Sequence, residues 1–297
     1  MVSRFPPRSH MKKLVLSMAA LTLAATSASA ADRMNPADRR RIEKAREHIV
    51  PAVAKEFGSK ARFIQLFGQG RRMMAGVVAE IPEQALGTDD LPLLAIVQYD
   101  EPTGAVRVVD REFKYREARS VGPNVALLDG EGNLRLREPG GRERLLAQKV
   151  GGDLFPTAKG DALVATLLNN DAGHETSVGI IDLNGRVKVL ADGPGVDATP
   201  TISPDGKTVL FVSVRTSVAS FFVTTVDGAE PKQLTNVGLE SHMLYGGAPA
   251  SFVPPPVSSH HMEWLNDDVL RYNAGGGEFW KINVRTGQAA PDLGGEK

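Results

Sequence analysis

Histidines are the side chains of this 297-residue sequence best suited to chemistry, because the chain has six of them and no cysteine. Four lie in the second half, at His174, His242, His260 and His261. Neutral imidazoles bind transition metals, and Glu263 next to the last pair adds a carboxylate oxygen. With no thiolate, a metal site must use histidines and carboxylates. The candidate metal ligands are His242, His260 and His261, and the alternative is that these are ordinary polar surface residues.

The same counts exclude several classes of protein. Without cysteine there is no disulfide framework, no iron–sulfur cluster and no thiol nucleophile. Lys plus Arg and Asp plus Glu both total 35, and residues 31–297 hold 31 basic against 35 acidic residues. Nucleic-acid binding needs a basic footprint. We therefore expect no nucleic-acid partner.

Residues 1–30 resemble a secretory signal peptide. Lys12 and Lys13 precede an apolar run at residues 14–25, and Ala28-Ser29-Ala30 has the small residues of a cleavage site. The run is too short to span a bilayer. We expect Sec-type export with cleavage after Ala30, a periplasmic or secreted location and no remaining transmembrane segment. Translation could start at Met1 or at Met11.

One amphipathic helix is predicted after this segment, followed by strands. Asn35 and Pro36 form a helix start, and Gly58 a stop. Between them the apolar residues recur at spacings of three and four: Ile42, Ala45, Ile49 and Val53. Beyond Gly58, short apolar runs separated by Gly, Pro and Asp indicate an all-β fold.

An internal repeat specifies which all-β fold. Four strand–turn–strand units have turn glycines at 140, 185, 228 and 287, and a weaker unit has one at 104. Spacings near 43 residues are typical of four-stranded propeller blades. We therefore predict a β-propeller of five or six four-stranded blades over residues 93–297. An N-terminal helix and short strands at 31–92 precede it, as a small subdomain or as the closure of the ring.

One of these units carries a family resemblance. Ile202-Ser-Pro-Asp-Gly-Lys-Thr-Val-Leu-Phe-Val-Ser213 is followed by Phe222-Val-Thr-Thr-Val-Asp-Gly228 and then by Lys232-Gln-Leu-Thr235. This unit, residues 197–236, resembles the TolB-type β-propeller repeat, and the rest of 110–295 resembles it in outline. The family includes binding scaffolds and the propeller halves of peptidases. A peptidase would need a Gly-x-Ser-x-Gly nucleophile elbow, which the sequence lacks.

The resemblance and the absence of a complete catalytic set favour a non-catalytic, protein-binding scaffold at the bacterial envelope. We expect a monomer whose partner is another envelope protein or a small ligand. The binding residues are predicted at the channel mouth and in a Pro- and Gly-rich insertion at 238–258: His242, Tyr245, Phe252, His260, His261, Glu263 and Trp264.

Two alternatives stay open. One is a metal-dependent enzyme similar to the propeller lyases that act on uronates, with His242, His260 and His261 around a divalent metal. Adjacent strand residues point to opposite faces, so His260 and His261 can both face the channel only if the strand bulges. The other is a sensor that holds a small ligand in the channel. No catalytic residue is assigned, and outside the metal alternative no cofactor is expected.

Overall fold

The computed structural model describes residues 36–67, 72–79, 93–169, 175–216, 219–235, 262–273 and 279–292. The predicted signal peptide and the 238–258 insertion lie outside these residues. Five of the predicted site residues also lie outside them: His242, Tyr245, Phe252, His260 and His261. Glu263 and Trp264 lie within them.

The predicted helix, α1 (Pro36–Phe57), is present and continues through Pro51. It ends at Gly58, whose backbone has φ +90° and whose N–H donates to the Ala54 carbonyl at 3.1 Å. Ala45, Ile49 and Val53 from the predicted stripe are buried. No helix in the described part of the chain combines the length and apolar character of a membrane span.

Within the described ranges, the strands form five four-stranded antiparallel sets, which we call blades 1 to 5. Blades 1 and 2 share a continuous seven-stranded sheet. The strand common to both is β4 (Ala105–Val121), whose first part is the outermost strand of blade 1 and whose last part is the innermost strand of blade 2. The other strands of blade 1 are β1 (Arg62–Phe67), β2 (Arg72–Val78) and β3 (Leu94–Asp100). The other strands of blade 2 are β5 (Asn124–Asp129), β6 (Leu134–Arg137) and β7 (Glu143–Ala147).

Blades 3 to 5 are separate sheets, each built in chain order from the inner to the outer strand. Blade 3 contains β8 (Val150–Pro156), β9 (Ala162–Leu168), β10 (Thr176–Asp182) and β11 (Val187–Ala191). Blade 4 contains β12 (Asp197–Ile202), β13 (Thr208–Ser213), β14 (Ser220–Thr225) and β15 (Lys232–Gln233). Blade 5 contains β16 (Met262–Trp264), β17 (Val269–Asn273), β18 (Phe279–Asn283) and β19 (Ala289–Pro291). The predicted all-β propeller with an N-terminal helix is confirmed.

The predicted repeat units are the two outer strands of each blade. The turn glycines at 104, 185, 228 and 287 all have positive φ, between 70° and 85°. In blade 2 the glycine in this conformation is Gly141, with φ 85°, and not Gly140 as the sequence alignment assumed. Gly141 takes this role because its N–H closes the turn onto the Glu138 carbonyl at 2.9 Å. A left-handed residue at this corner favours glycine, which has no Cβ.

Apolar layers fill the spaces between blades. One face of blade 1 packs on blade 2, with Met74 and Ile96 against Tyr115 and Leu127. Its other face carries α1, which therefore covers the face of blade 1 that points away from blade 2. Similar layers join blades 2 and 3, blades 3 and 4, and blades 4 and 5. The strands at 62–78 are thus hydrogen-bonded members of the first blade.

Candidate functional site

The innermost strands of blades 2, 3 and 4 lie side by side, with β4 against β8 and β8 against β12. Each has an irregular register with its own blade, which marks a bulge. At these bulges Asp153 on β8 has φ 54° and Thr199 on β12 has φ 51°. A non-glycine residue with positive φ is uncommon, and this conformation is retained where surrounding contacts impose it. Those contacts are a set of polar side chains that bridge neighbouring blades.

The first bridge joins blade 2 to blade 3 through two charged side chains of β4. Glu117 and Arg119 form an ion pair of 2.7 Å, with side-chain exposures of only 6% and 2%. Glu117 Oε1 accepts from the Leu154 N–H at 3.1 Å, and Arg119 Nε donates to the Leu154 carbonyl at 2.8 Å. Both main-chain groups of one residue on β8 are therefore held by side chains of β4. We call this arrangement the Leu154 clamp.

Burial sets the electrostatics of this clamp. It raises the pKa of Glu117 to about 7, with Arg119 lowering and Asp153 raising that pKa. Burial also lowers the pKa of Arg119, against the attraction of Glu117 and Asp153. The guanidinium also lies over the ring of Phe67, 5.3 Å from its centroid. Burial thus opposes the ionisation of Glu117, and the neighbouring guanidinium of Arg119 favours it.

The second bridge joins blade 3 to blade 4. Asp153 Oδ2 accepts from the Thr166 hydroxyl at 3.1 Å and from the Thr199 N–H at 3.3 Å. The bulge in β12 is what turns the N–H of Thr199 away from its own sheet toward blade 3. Thr176 adds a further contact, because its hydroxyl donates to the Asp197 carbonyl at 2.7 Å.

The third bridge joins blade 4 to blade 5 and contains one of the predicted site residues. Trp264 Nε1 donates to the Thr201 hydroxyl oxygen at 2.8 Å, and the half-buried indole packs on the apolar layer between these blades. Trp264 is therefore engaged in blade packing. Asp267 also reaches across, since its Oδ1 accepts from the Asp205 N–H at 2.9 Å.

Glu263, the other described candidate, belongs to a row of charges across blade 5. Its Oε2 lies 3.2 Å from Nη1 of Arg271 on the neighbouring strand. Arg271 also meets Asp292 at 2.9 Å and lies over the ring of Phe279, 3.9 Å from the centroid. Asp292 is shared with Lys281 at 2.9 Å. Glu263 is half-exposed and can still offer an oxygen to a ligand.

The structure brings together Glu263 and Trp264 on one short strand, and it identifies clamp residues that sequence reasoning missed. The signal for the clamp was present in Glu117-Ala118-Arg119, where opposite charges two residues apart point to the same side of a strand. In isolation that alternation is typical of a solvent-exposed sheet face, and only the packed neighbouring blade shows that this face is buried.

No metal centre is apparent in the described ranges, because they contain no group of three or more His, Asp or Glu side chains placed to hold an ion. All three histidines of the predicted metal site lie outside those ranges. A shallow surface cleft of about 230 Å³ lies between blades 1 and 2, lined by valines, prolines, Gly141 and the charged residues Arg107, Arg137 and Glu138. Arg137 is already bonded to Asp110 and Glu143 there.

Comparison with known proteins supports the fold and does not identify the function. No family model and no curated protein matches the chain. Among solved structures, a TolB-type protein from Agrobacterium tumefaciens aligns with TM-score 0.50 and 16% identity, over 77% of this chain and 80% of that one. An oligogalacturonate lyase in complex with manganese aligns with TM-score 0.50 and 12% identity, over 74% of this chain.

The chain spans 61% of the length of that lyase, less than two thirds. A puromycin hydrolase aligns with TM-score 0.50 and 16% identity, over 77% of this chain and 39% of its own. At such identities the likeness concerns the fold alone. The fold of this chain is therefore that of a TolB-like β-propeller, reached from its own strand order and shared with proteins of unlike activity.

Proposed function

We propose that this protein is an exported, non-catalytic propeller of the TolB type that binds another protein at the bacterial envelope. The observation that carries the proposal is that polar residues of the innermost strands bond to neighbouring blades. Glu117, Arg119, Asp153, Thr199 and Thr201 all bond to a neighbouring blade. Side chains engaged in this way hold a rigid framework, and such frameworks present binding residues on the loops at their faces.

The contact surface in this proposal is the channel mouth with the 238–258 insertion, comprising His242, Tyr245, Phe252, His260, His261 and Glu263. Trp264 is left out of it because its indole bonds to Thr201 of blade 4. Aromatic residues are enriched among those that dominate binding energy at protein interfaces. The charge row that ends at Glu263 supplies polar groups for such a contact. The predicted signal peptide supports an envelope location.

A pull-down from envelope extract tests this proposal. The wild-type chain is expected to retain a protein partner that a Tyr245→Ala/Phe252→Ala variant loses. Val50→Ser is the matched control, because Val50 is 48% exposed on α1, remote from blade 5 in sequence. Retention of the same proteins by the aromatic variant would contradict the proposed surface.

A metal-dependent enzyme is the second candidate. The observation that favours it is the position of one histidine in the blade repeat. Ser203 and Thr157 each donate a main-chain N–H across the inner hairpin of their blades, and the left-handed Thr199 and Asp153 lie four residues before them. Leu265 makes the equivalent bond in blade 5, to the Val269 carbonyl at 2.9 Å. Four residues before Leu265 is His261. By sequence position, His261 is the counterpart of Asp153 and Thr199 in this repeat.

Metal analysis separates the two candidates. One bound divalent metal per chain in the wild type, lost in His261→Ala, would favour the enzyme. Substoichiometric metal in the wild type, in His260→Ala and in His261→Ala would favour the non-catalytic scaffold over the enzyme. Glu131→Gln is a suitable control, because Glu131 lies in an exposed turn of blade 2.

A further inference from the structure

The surface cleft between blades 1 and 2 has a mostly apolar lining and lies at a seam that none of the three polar bridges joins. Blade 1 contributes residues 107–109, and blade 2 contributes Val125 on β5 and the turn residues Pro123, Pro139 and Gly141. The volume of the cleft is about 230 Å³. Since a water-sized group takes up about 30 Å³, the cleft has room for a ligand of about eight non-hydrogen atoms.

Hydrogen bonds hold the walls of the cleft in place. Gly141 closes the turn between β6 and β7, because its N–H donates to the Glu138 carbonyl at 2.9 Å. Arg137 ties blade 2 to blade 1, since its guanidinium donates to the Val109 carbonyl and to the Asp110 carboxylate. Walls that are fixed before a ligand arrives reduce the entropy cost of binding.

The charges around the cleft balance in number, but one of them is unmatched. The lining and its ion-pair partners hold three cations and three carboxylates: Arg107, Arg137 and Arg144, with Asp110, Glu138 and Glu143. All three carboxylates pair with the other two arginines, at distances of up to 3.8 Å. Among the described residues, Arg107 has no ion-pair partner. Recognition of an anion here therefore depends on one guanidinium and not on a net positive charge.

Arg107 is oriented by a neutral group. Its Nε donates to Oε1 of Gln98 at 2.6 Å. Gln98 lies opposite Arg107 on β3 and is only 9% exposed, so the acceptor is fixed within the sheet. This bond uses one of the five N–H groups of the guanidinium. Within the described ranges the two Nη groups have no protein acceptor, and they form an edge that fits a carboxylate in a bidentate arrangement.

The lining defines the class of ligand that fits. One free guanidinium edge matches one carboxylate, which can accept two parallel N–H bonds. A second negative charge is disfavoured, because Glu138 also lines the cleft. The three valines and two prolines of the lining favour a small apolar group on the same ligand. The ligand class is thus a monoanion with a short hydrocarbon body.

We propose that this cleft binds a monocarboxylate that carries a small branched apolar group. The carboxylate would bind Arg107, and the apolar group would pack on Val109 and Val125. The same chemistry is present in a free organic acid and in the C-terminal residue of a protein chain. The site lies between blades 1 and 2, so it goes beyond the channel-mouth contact proposed above and does not depend on it.

The test uses isovalerate as the probe and isovaleramide, its neutral isostere, as the control. Binding to the full chain is followed by the chemical shifts of the protein in NMR spectra. We expect saturable shifts from isovalerate with a Kd of about 1 mM, centred on the amides of residues 107–109 and 138–141. Isovaleramide is expected to bind at least about tenfold more weakly, because it brings no negative charge to Arg107.

The tripeptide Gly-Gly-Val distinguishes the two sources of the carboxylate. Binding of this peptide about tenfold tighter than that of isovalerate would assign the cleft to a protein C-terminus. The same peptide with an amidated C-terminus should then lose that affinity. Tighter binding of isovalerate would assign the cleft to a free acid.

An Arg107→Gln variant removes the guanidinium from an exposed position and is expected to bind isovalerate at least about tenfold more weakly. The matched control is Arg116→Gln, because Arg116 is exposed on the same strand and does not line the cleft. It should bind isovalerate as the wild type does. Equal binding of isovalerate and isovaleramide, unchanged binding by Arg107→Gln, or no saturable shift up to about 10 mM isovalerate overturns the proposal.

Discussion

Replacement of Arg119 by methionine should expose how strongly the Leu154 clamp holds blades 2 and 3 together. The change keeps most of the side-chain volume and removes a guanidinium that is 2% exposed, its pairing with Glu117 and its bond to the Leu154 carbonyl. Removing one partner of a buried pair leaves the other charge uncompensated. We expect the free energy of unfolding to fall by about 3–5 kcal/mol at pH 8.

The pH dependence identifies the carboxylate as the cause. Burial raises the pKa of Glu117 from 4.5 to about 7 in the native protein, so between these pH values the native state binds more protons than the unfolded state. Ionisation of Glu117 therefore lowers stability as pH rises from 4.5 to 7, by about 3 kcal/mol in total. Without Arg119 its carboxyl is still harder to ionise, so the loss in Arg119→Met should be larger at pH 8 than at pH 5.5.

Urea denaturation at both pH values measures these differences, with Arg186→Met as the control. Arg186 also forms a short ion pair, 2.6 Å from Asp182, but is 83% exposed, and its loss should cost under about 1 kcal/mol. The double variant Glu117→Gln/Arg119→Met has no orphan charge and should be more stable than Arg119→Met at pH 8. A cost below about 1 kcal/mol for Arg119→Met, or an equal cost at both pH values, would refute the reasoning.

Two further perturbations test the blade turns and the third bridge. Gly104→Ala should lower the free energy of unfolding by about 1–3 kcal/mol, because φ is 70° and the new Cβ would lie 2.6 Å from Cε1 of His48. Gly140→Ala is the control: no atom lies within 4 Å of its new Cβ, so the free energy of unfolding should be nearly unchanged in the same urea titration. Trp264→Phe should cost about 1 kcal/mol through the lost bond to Thr201. A Thr201→Val background should reduce that cost, and an unchanged cost would mean that the bond contributes little.

The outer halves of the blades could be predicted from the sequence because their turns require a particular conformation. Gly185 ends the three-residue turn 183–185, which is closed by the Asp182 N–H bond to the Arg186 carbonyl, and the Gly228 N–H closes its turn onto the Thr225 carbonyl. Both glycines have positive φ, and this requirement is visible in the residue types. The repeat spacing then gave the four-stranded blade. The one-residue error at Gly140 arose because Gly140 and Gly141 are adjacent and either could be aligned.

The first blade was harder to predict because its strands lack alternation. Residues 73–78 of β2 are all buried, since one face meets α1 and the other meets blade 2. A strand buried on both faces has a continuous apolar pattern that cannot be distinguished from other buried segments by periodicity. The strand order, which pairs β2 with β1 and β3, depends on long-range contacts that local sequence does not encode.

The bulged inner strands link the architecture to the function that such a chain can perform. A straight inner strand would direct all its N–H groups into its own blade. The bulge at Thr199 instead lets the Thr199 N–H donate to Asp153 of the preceding blade. The backbone strain at Thr199 is thus offset by a hydrogen bond between blades. A ligand that entered between these strands would have to displace that bond and the Leu154 clamp, each buried and therefore costly to break. Binding at surfaces that leave the bridges intact avoids this cost. For this reason we place recognition on the 238–258 insertion and on Glu263.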